Sequence, residues 1–363
     1  MKFRAPELPD FPWDTIADDI ALANSHPDGA CDLSVGTPVD PTPEIGRRAL
    51  ADASNAHGYP TVWGTEELHA AIIAYVITRW GAPQMSEREV MPIIGAKELV
   101  GWLPTLLGVK PGDTVVIPQV AYPTYAVGAL MAGARVVTAS SPADVDSENP
   151  VLVWTNSPSN PSGQIDDEDR VRAWVAYARE KGALLAADEC YGEFGWEAEP
   201  VSVLDSRVNG GSPEGILGVY SMSKRSNLAG YRAGFVAGDE DVVMGLVGIR
   251  KHLGMMVPTP VQAAMTVLLG DQRHVGEQRQ RYAARRTSLS GALREAGFTI
   301  DSSEGGLYLW ATRGENGRIT SHWLAERGII VAPGDFYGEA GADHVRIALT
   351  ATDERIAAAC SRL

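Results

Sequence analysis

The chain of 363 residues is 45% hydrophobic and 21% charged, with 38 Gly and 23 Pro scattered rather than repeated, which excludes disorder, collagen and coiled coil. A balance of 31 basic against 46 acidic side chains gives a net charge of −15. That field repels phosphate backbones and anionic lipid, so no nucleic-acid or membrane partner is expected, and an anionic substrate needs local cations.

In chain order, MKFRAPELPDFPWD lacks the apolar stretch of a signal peptide. The short apolar runs 113–117, 134–139, 150–155, 183–188, 216–221 and 232–237 predict strands, with helical patterns at 97–107 and 166–181 between them. The second helix opens on the acids Asp166 to Asp169, which suit a helix N-terminus. The uncharged run from Thr114 to Ala134 is broken by Pro118, Gln119 and Pro123 and reads as strand, loop and helix rather than a membrane span. Alternating strand and helix predicts an α/β fold with a mostly parallel central sheet flanked by helices. The acidic stretch 140–149 and the Gly/Ser stretch 209–215 read as surface loops. After Asp271 a long charged helix, 271–296, leads to strands at 298–301, 306–311, 328–332 and 344–349, a smaller α+β domain. The expected division is an N-terminal arm and part of the small domain over 1–40, a large domain over 41–270, and a connecting helix with the C-terminal small domain over 271–363.

Cys31, Cys190 and Cys360 form no C-x-x-C pair, and the seven histidines form no cluster. No metal site is predicted, and the cysteine usage fits a reducing cytoplasm.

The most informative stretch is Ser221-Met-Ser-Lys224, followed by Gly230 and Arg232. A lysine after a buried strand is ordinarily a solvated end; kept out of water, its amine pKa falls and it can form a Schiff base with an aldehyde cofactor. The S-x-x-K spacing also occurs in serine β-lactamases, but their S-D-N and K-T-G segments are missing here. Asp188-Glu-Cys-Tyr191 and Asn160-Pro-Ser-Gly163 each follow a predicted strand, where a parallel sheet places ligand groups. A pyridine cofactor needs a carboxylate at its ring nitrogen and donors at its phenolic oxygen. Gly95-Ala96-Lys97-Glu98 lies at a strand-to-helix turn whose free amides can seat a phosphate. No G-x-G-x-x-G or Walker motif occurs.

In this order the motifs resemble the fold-type I pyridoxal phosphate aminotransferases of the aspartate aminotransferase superfamily. They are G-T-P at 36–38, Y-P-T-V-W-G at 59–64, G-A-K-E at 95–98, A-Y-P-T-Y at 121–125, S-N-P-S-G at 159–163, D-E-C-Y at 188–191, S-M-S-K at 221–224, G-Y-R-A-G-F at 230–235 and V-R-I-A-L at 345–349. The resemblance implies pyridoxal 5'-phosphate as cofactor, with Lys224 bound to it, Asp188 at the pyridine nitrogen, and Tyr191 and Asn160 at the phenolic oxygen. It implies a phosphate seat from Ser221, Arg232 and the amides of Ala96 and Lys97, with Tyr59 reaching across a homodimer interface and Tyr122 stacked on the ring. Arg346 corresponds to the clamp for the substrate α-carboxylate, bordered by Gly36, Thr37 and Asn160; from the residues alone it could instead pair with a protein carboxylate. Lys224 is then both cofactor lysine and general base, with Asp188 and Tyr191 completing the catalytic group. Residues 1–30 are expected to fold over the site, anchored by Phe11 and Trp13.

A narrower resemblance, to actinobacterial N-succinyldiaminopimelate aminotransferases, rests on L-S-V-G-T-P-V-D (33–40), S-K-R-S-N-L-A-G-Y-R-A-G-F (223–235), R-K-H-L-G-M-M-V-P (250–258) and V-A-P-G-D-F-Y-G (331–338). It implies L-glutamate as donor and a succinylated 2-amino-6-oxopimelate as acceptor, in lysine and diaminopimelate biosynthesis, with Arg250 and Lys251 as candidates for reading the distal carboxylate. Alternatives are a transaminase for another acylated diamino acid, a fold-type I lyase, or a cofactor-binding regulator; the acidic balance gives the last no DNA-reading surface.

Overall fold

Apolar runs too short for helices, bounded by glycine, proline and acidic turns, form the strands of this computed structural model, which describes residues 8–363. The strands are β1 (Cys31–Asp32), β2 (Val90–Ile93), β3 (Thr114–Pro118), β4 (Arg135–Ala139), β5 (Pro150–Asn156), β6 (Leu184–Asp188), β7 (Ile216–Ser221), β8 (Gly234–Gly238), β9 (Thr299–Asp301), β10 (Tyr308–Thr312), β11 (Ile329–Ile330), β12 (Ala332–Pro333) and β13 (Val345–Ala348). Seven of them form one sheet in the order β2-β8-β7-β6-β5-β3-β4. β8 is the reversed strand, antiparallel to both β7 and β2, while the remaining pairings are parallel. Strands such as β6 and β8 are buried at every position, as a sheet covered on both faces requires. One apolar layer packs Leu68, Ile72, Trp174 and Met265 against one side of the sheet; the other packs Leu99, Leu103, Tyr125 and Leu246.

The second sheet, β12-β13-β10-β9, is antiparallel throughout, and β1 pairs in parallel with β11, so residues near both ends of the chain meet. The predicted strand 328–332 is divided: β11 pairs with β1 and β12 with β13. The predicted strand at 232 begins instead at Gly234, because Arg232 has φ 56°, outside the extended region. Helix Arg273–Glu295 carries the buried Arg285, whose guanidinium holds Asp40 through two bonds of 2.8 Å and Asp353 at 2.7 Å. That junction ties the segment after Gly36 and Thr37 to the long helix and to the C-terminal one.

Candidate active site

The ends of β2, β3, β5, β6 and β7 open on one side of the large sheet, and the loops leaving them carry the chemistry. After β7 comes the short helix Met222–Arg225, whose start is capped by Ser221 Oγ accepting from the Ser223 amide at 3.1 Å. Its Lys224 Nζ donates to the Gly36 carbonyl. Burial lowers the Lys224 pKa, and the charges of Arg346 and Arg232 push the same way. Gly36 has no alternative: a Cβ there would stand 2.0 Å from the Tyr308 hydroxyl.

Asp188, the last residue of β6, is buried. Its Oδ2 accepts from the Tyr125 hydroxyl at 2.7 Å and its Oδ1 from the Cys190 amide at 3.1 Å. Burial raises its pKa against those two bonds. Tyr125 in turn stacks on Trp154 of β5, centroids 5.0 Å apart, so the carboxylate is braced from beneath. Asn156, the end of β5, accepts from the Asn160 amide at 2.7 Å and donates to the Asp188 carbonyl at 2.8 Å, which fixes the 157–163 loop beside β6.

Gly95 precedes helix Ala96–Leu106 with φ 78°, a conformation open to glycine, and a Cβ there would meet Arg232 Nη2 at 2.5 Å. The first amides of that helix therefore lie beside the Arg232 guanidinium, two kinds of anion donor in one place. On the opposite wall, Arg346 of β13 is 3% exposed. Its Nη1 donates to Asn160 Oδ1 at 2.8 Å, its Nη2 to the Ser34 carbonyl at 2.5 Å, and its Nε has no partner. The guanidinium lies 4.0 Å over the Tyr308 ring. No carboxylate among the described residues pairs with it, so the internal ion pair that the sequence left open is not made.

Gly36, Thr37, Ala96, Lys97, Tyr122, Asn160, Asp188, Tyr191, Ser221, Lys224, Arg232 and Arg346 line one cavity of about 600 Å³, and Phe11 and Trp13 stand at it as expected. Four cations face one carboxylate there, in a chain with an excess of acid. Tyr308, Cys190 and Val35 also line it and were not singled out in the sequence. Tyr308 sits in a continuous apolar strand and Tyr125 on an apolar helix face, so both read as ordinary core; only its place at the end of A-Y-P-T-Y marks Tyr125.

Three candidates stand elsewhere. Tyr59 is 96% exposed and away from the cavity of its own chain. Arg250 is corrected: it is fully buried and forms a two-pronged pair with Glu98, Nη1 to Oε1 and Nη2 to Oε2 both at 3.1 Å. Its charge is committed to the neighbouring helix and cannot read a substrate. Lys251, next to it, is exposed and off the cavity. Among the described residues no helix is long and apolar enough to cross a membrane, and no group of three metal-ligating side chains occurs.

A mostly parallel sheet that presents a half-buried lysine, a buried aspartate and a helix N-terminus at one edge defines an enzyme of the pyridoxal phosphate-dependent transferase fold. The profile of the family described as aminotransferase class I and II matches residues 29–363, and the chain belongs to that family. It is 56% identical over 356 residues to a "probable aminotransferase" of Mycobacterium tuberculosis, covering 98% of this chain and 85% of that protein. It is 53% identical over 357 residues to the 4-dedimethylamino-4-oxo-anhydrotetracycline transaminase of Streptomyces rimosus, covering 98% and 99%. Among solved structures, a "probable N-succinyldiaminopimelate aminotransferase" of Thermus thermophilus superposes with TM-score 0.87 at 26% identity, over 97% of this chain and 100% of that one. The chain is thus a pyridoxal phosphate-dependent aminotransferase, acting on amino acids and oxo acids.

Proposed function

We propose that this aminotransferase moves the amino group of L-glutamate to an oxo acid with a long side chain ending in a carboxylate, N-succinyl-2-amino-6-oxopimelate being the substrate that best fits. The observation carrying this reading is the pair of unshared cations lining the cavity. Arg346 lacks any protein carboxylate, and Lys97, whose Nζ lies about as near the Tyr122 ring (5.9 Å) as the Phe11 ring (6.0 Å), has no carboxylate within ion-pair distance among the described residues. Lys97 therefore takes the distal role first sought in Arg250.

The residues present fit the cofactor. Lys224 is half-buried with a lowered pKa and can attach to its aldehyde; Asp188 can hold the pyridine nitrogen protonated; Tyr191 and Asn160 can reach the phenolic oxygen; Tyr122 can cover the ring. Ser221, Arg232 and the Ala96 and Lys97 amides can take the phosphate. Bound there, pyridoxal phosphate supplies the electron sink for charge released at the substrate Cα. Lys224 acts as general base at that Cα and carries the proton onward, a role that a lowered amine pKa favours. Arg346 orients the substrate through its α-carboxylate, with Gly36 and Thr37 closing the same side.

The division into arm (1–40), large domain (41–270) and small domain (271–363) is supported by the separate seven-stranded and four-stranded sheets, and a cytoplasmic location by three unpaired cysteines. A homodimer in which Tyr59 serves the partner's phosphate is supported by its exposure. A second reading, a ring-bearing oxo substrate, is favoured by the aromatic rim of Phe11, Trp13 and Tyr122 and by the likeness to the Streptomyces rimosus transaminase.

The test is the visible spectrum of the loaded protein with L-glutamate, then with N-succinyl-LL-diaminopimelate, beside product analysis. Amino-group transfer from both, with Lys97→Ala raising KM for the succinylated substrate about tenfold and leaving the glutamate half-reaction unchanged, is the expected result. Reaction with glutamate alone would move the assignment to the ring-bearing substrate.

A further inference from the structure

We propose that Tyr308 is a positioning residue that passes the state of the Arg346 clamp to the Tyr191 hydroxyl. This rests on the roles given above to Arg346 and Tyr191.

Tyr308 opens β10 opposite Ala348, and Arg346 lies two residues earlier on β13, so the two side chains are diagonal neighbours on one face of the antiparallel pair. The geometry leaves Tyr308 no freedom. Its ring face carries the Arg346 guanidinium at 4.0 Å, its hydroxyl is 2.9 Å from that of Tyr191, and the rings of the two tyrosines meet edge to face at 5.6 Å. The Gly36 backbone closes the remaining side, where even a methyl group would strike the hydroxyl. Tyr308 thus touches the group that holds the substrate carboxylate, the tyrosine that reaches the cofactor, and the carbonyl-bearing residue that receives Lys224.

The groups facing it are Arg346, Tyr191, Lys224, Asp188, Tyr337 and Tyr282. Burial raises the pKa of the Tyr308 phenol, but the Arg346 and Lys224 charges beside it draw it down and leave the phenol more acidic than usual. A phenol made acidic is a strong donor, and donation from Tyr308 to Tyr191 frees the Tyr191 proton for the cofactor's phenolic oxygen. When a substrate carboxylate neutralises Arg346, Tyr308 donates less strongly. The phenolic oxygen then keeps more negative charge, and the site holds a proton to higher pH. That change comes when the arriving ammonium group must give one up.

The experiment is a pH titration of the visible absorption of the cofactor-loaded protein, in wild type, Tyr308→Phe, Tyr191→Phe and the double variant. Tyr308→Phe keeps the ring under Arg346, so KM for glutamate changes less than about twofold, while the spectroscopic midpoint rises by about 0.5 to 1 pH unit, the size of one hydrogen bond. Tyr191→Phe raises the midpoint at least as far, and adding Tyr308→Phe to it produces no further shift. Glutarate, a carboxylate without an amine, raises the wild-type midpoint and raises that of Tyr308→Phe by less than half as much. A Tyr308→Phe midpoint equal to wild type beside a shifted Tyr191→Phe overturns the proposal and leaves the Tyr191 role standing. If neither single variant shifts, both fall. An undiminished Tyr308→Phe shift in the Tyr191→Phe background also overturns it, because the effect would not pass through Tyr191.

Discussion

Arg346 is a buried cation whose in-plane partners are an amide oxygen and a peptide carbonyl, both neutral, so its charge is left for a ligand. Arg346→Ala is therefore expected to raise KM for L-glutamate by on the order of 100-fold, with a smaller change in kcat, as steady-state kinetics would read. Glu189 adjoins the site without entering it. Burial pushes its carboxyl up from an ordinary 4.5 to about 7, and its Oε2 has no partner. Between those two pH values the native state holds a proton that the unfolded chain has lost, so this group's contribution falls as pH rises from about 4.5 to 7. Glu189→Gln should flatten that dependence and leave the protein more stable at pH 8 by up to roughly 3 kcal/mol; urea midpoints at pH 5 and pH 8 decide it. At this scale the sequence was legible where chemistry-bearing residues stand at strand ends, as Asp188, Lys224 and Asn160 do. It was not legible at Tyr308 and Tyr125, whose functional contacts lie 117 and 63 residues away and whose spacing is that of ordinary core.

Arg250 illustrates why elements decide what residues alone leave open. A basic triplet at a helix C-terminus has the look of a solvated cap. Here helix Glu240–Leu253 packs so that Arg250 turns inward and locks onto Glu98 of helix Ala96–Leu106, the helix whose first amides face the cavity. Nothing local signals this, because the partner lies 152 residues earlier in the chain. Removing the cation leaves a largely buried carboxylate unpaired. Arg250→Ala is thus expected to lower unfolding free energy by about 3 kcal/mol, with KM for both substrates within twofold of wild type. A folded variant of full stability with weakened substrate binding would restore the reading that Arg250 serves the substrate. The strands predicted from apolar runs were legible to within two residues, since such runs between turn residues depend on local chemistry, whereas the two-residue β1 was too short to be read. The division of 328–332 between two sheets was not, because each half is claimed by a different distant partner.

At the scale of the whole molecule, Tyr59, which the motifs assign to a cofactor site, does not line the cavity of its own chain. Tyr59 stands 96% exposed, and Trp102, Tyr231, Ile249 and Leu253 also present apolar surface to solvent. In a two-fold pair each cavity would combine Lys224 of one chain with Tyr59 of the other. Complementation tests that arrangement directly. Lys224→Ala chains lack the base, and Tyr59→Ala chains at limiting cofactor lose the added phosphate donor, so each parent dimer should be nearly inactive. Unfolded together at equal amounts and refolded, half of the dimers are mixed, and each mixed dimer has one intact cavity, built from Lys224 of the Tyr59→Ala chain and Tyr59 of the Lys224→Ala chain. Activity should recover to roughly a quarter of wild type. If each cavity is instead completed by its own chain, every cavity in the mixture carries one of the two lesions, and the mixed sample will show no activity beyond the average of its parents.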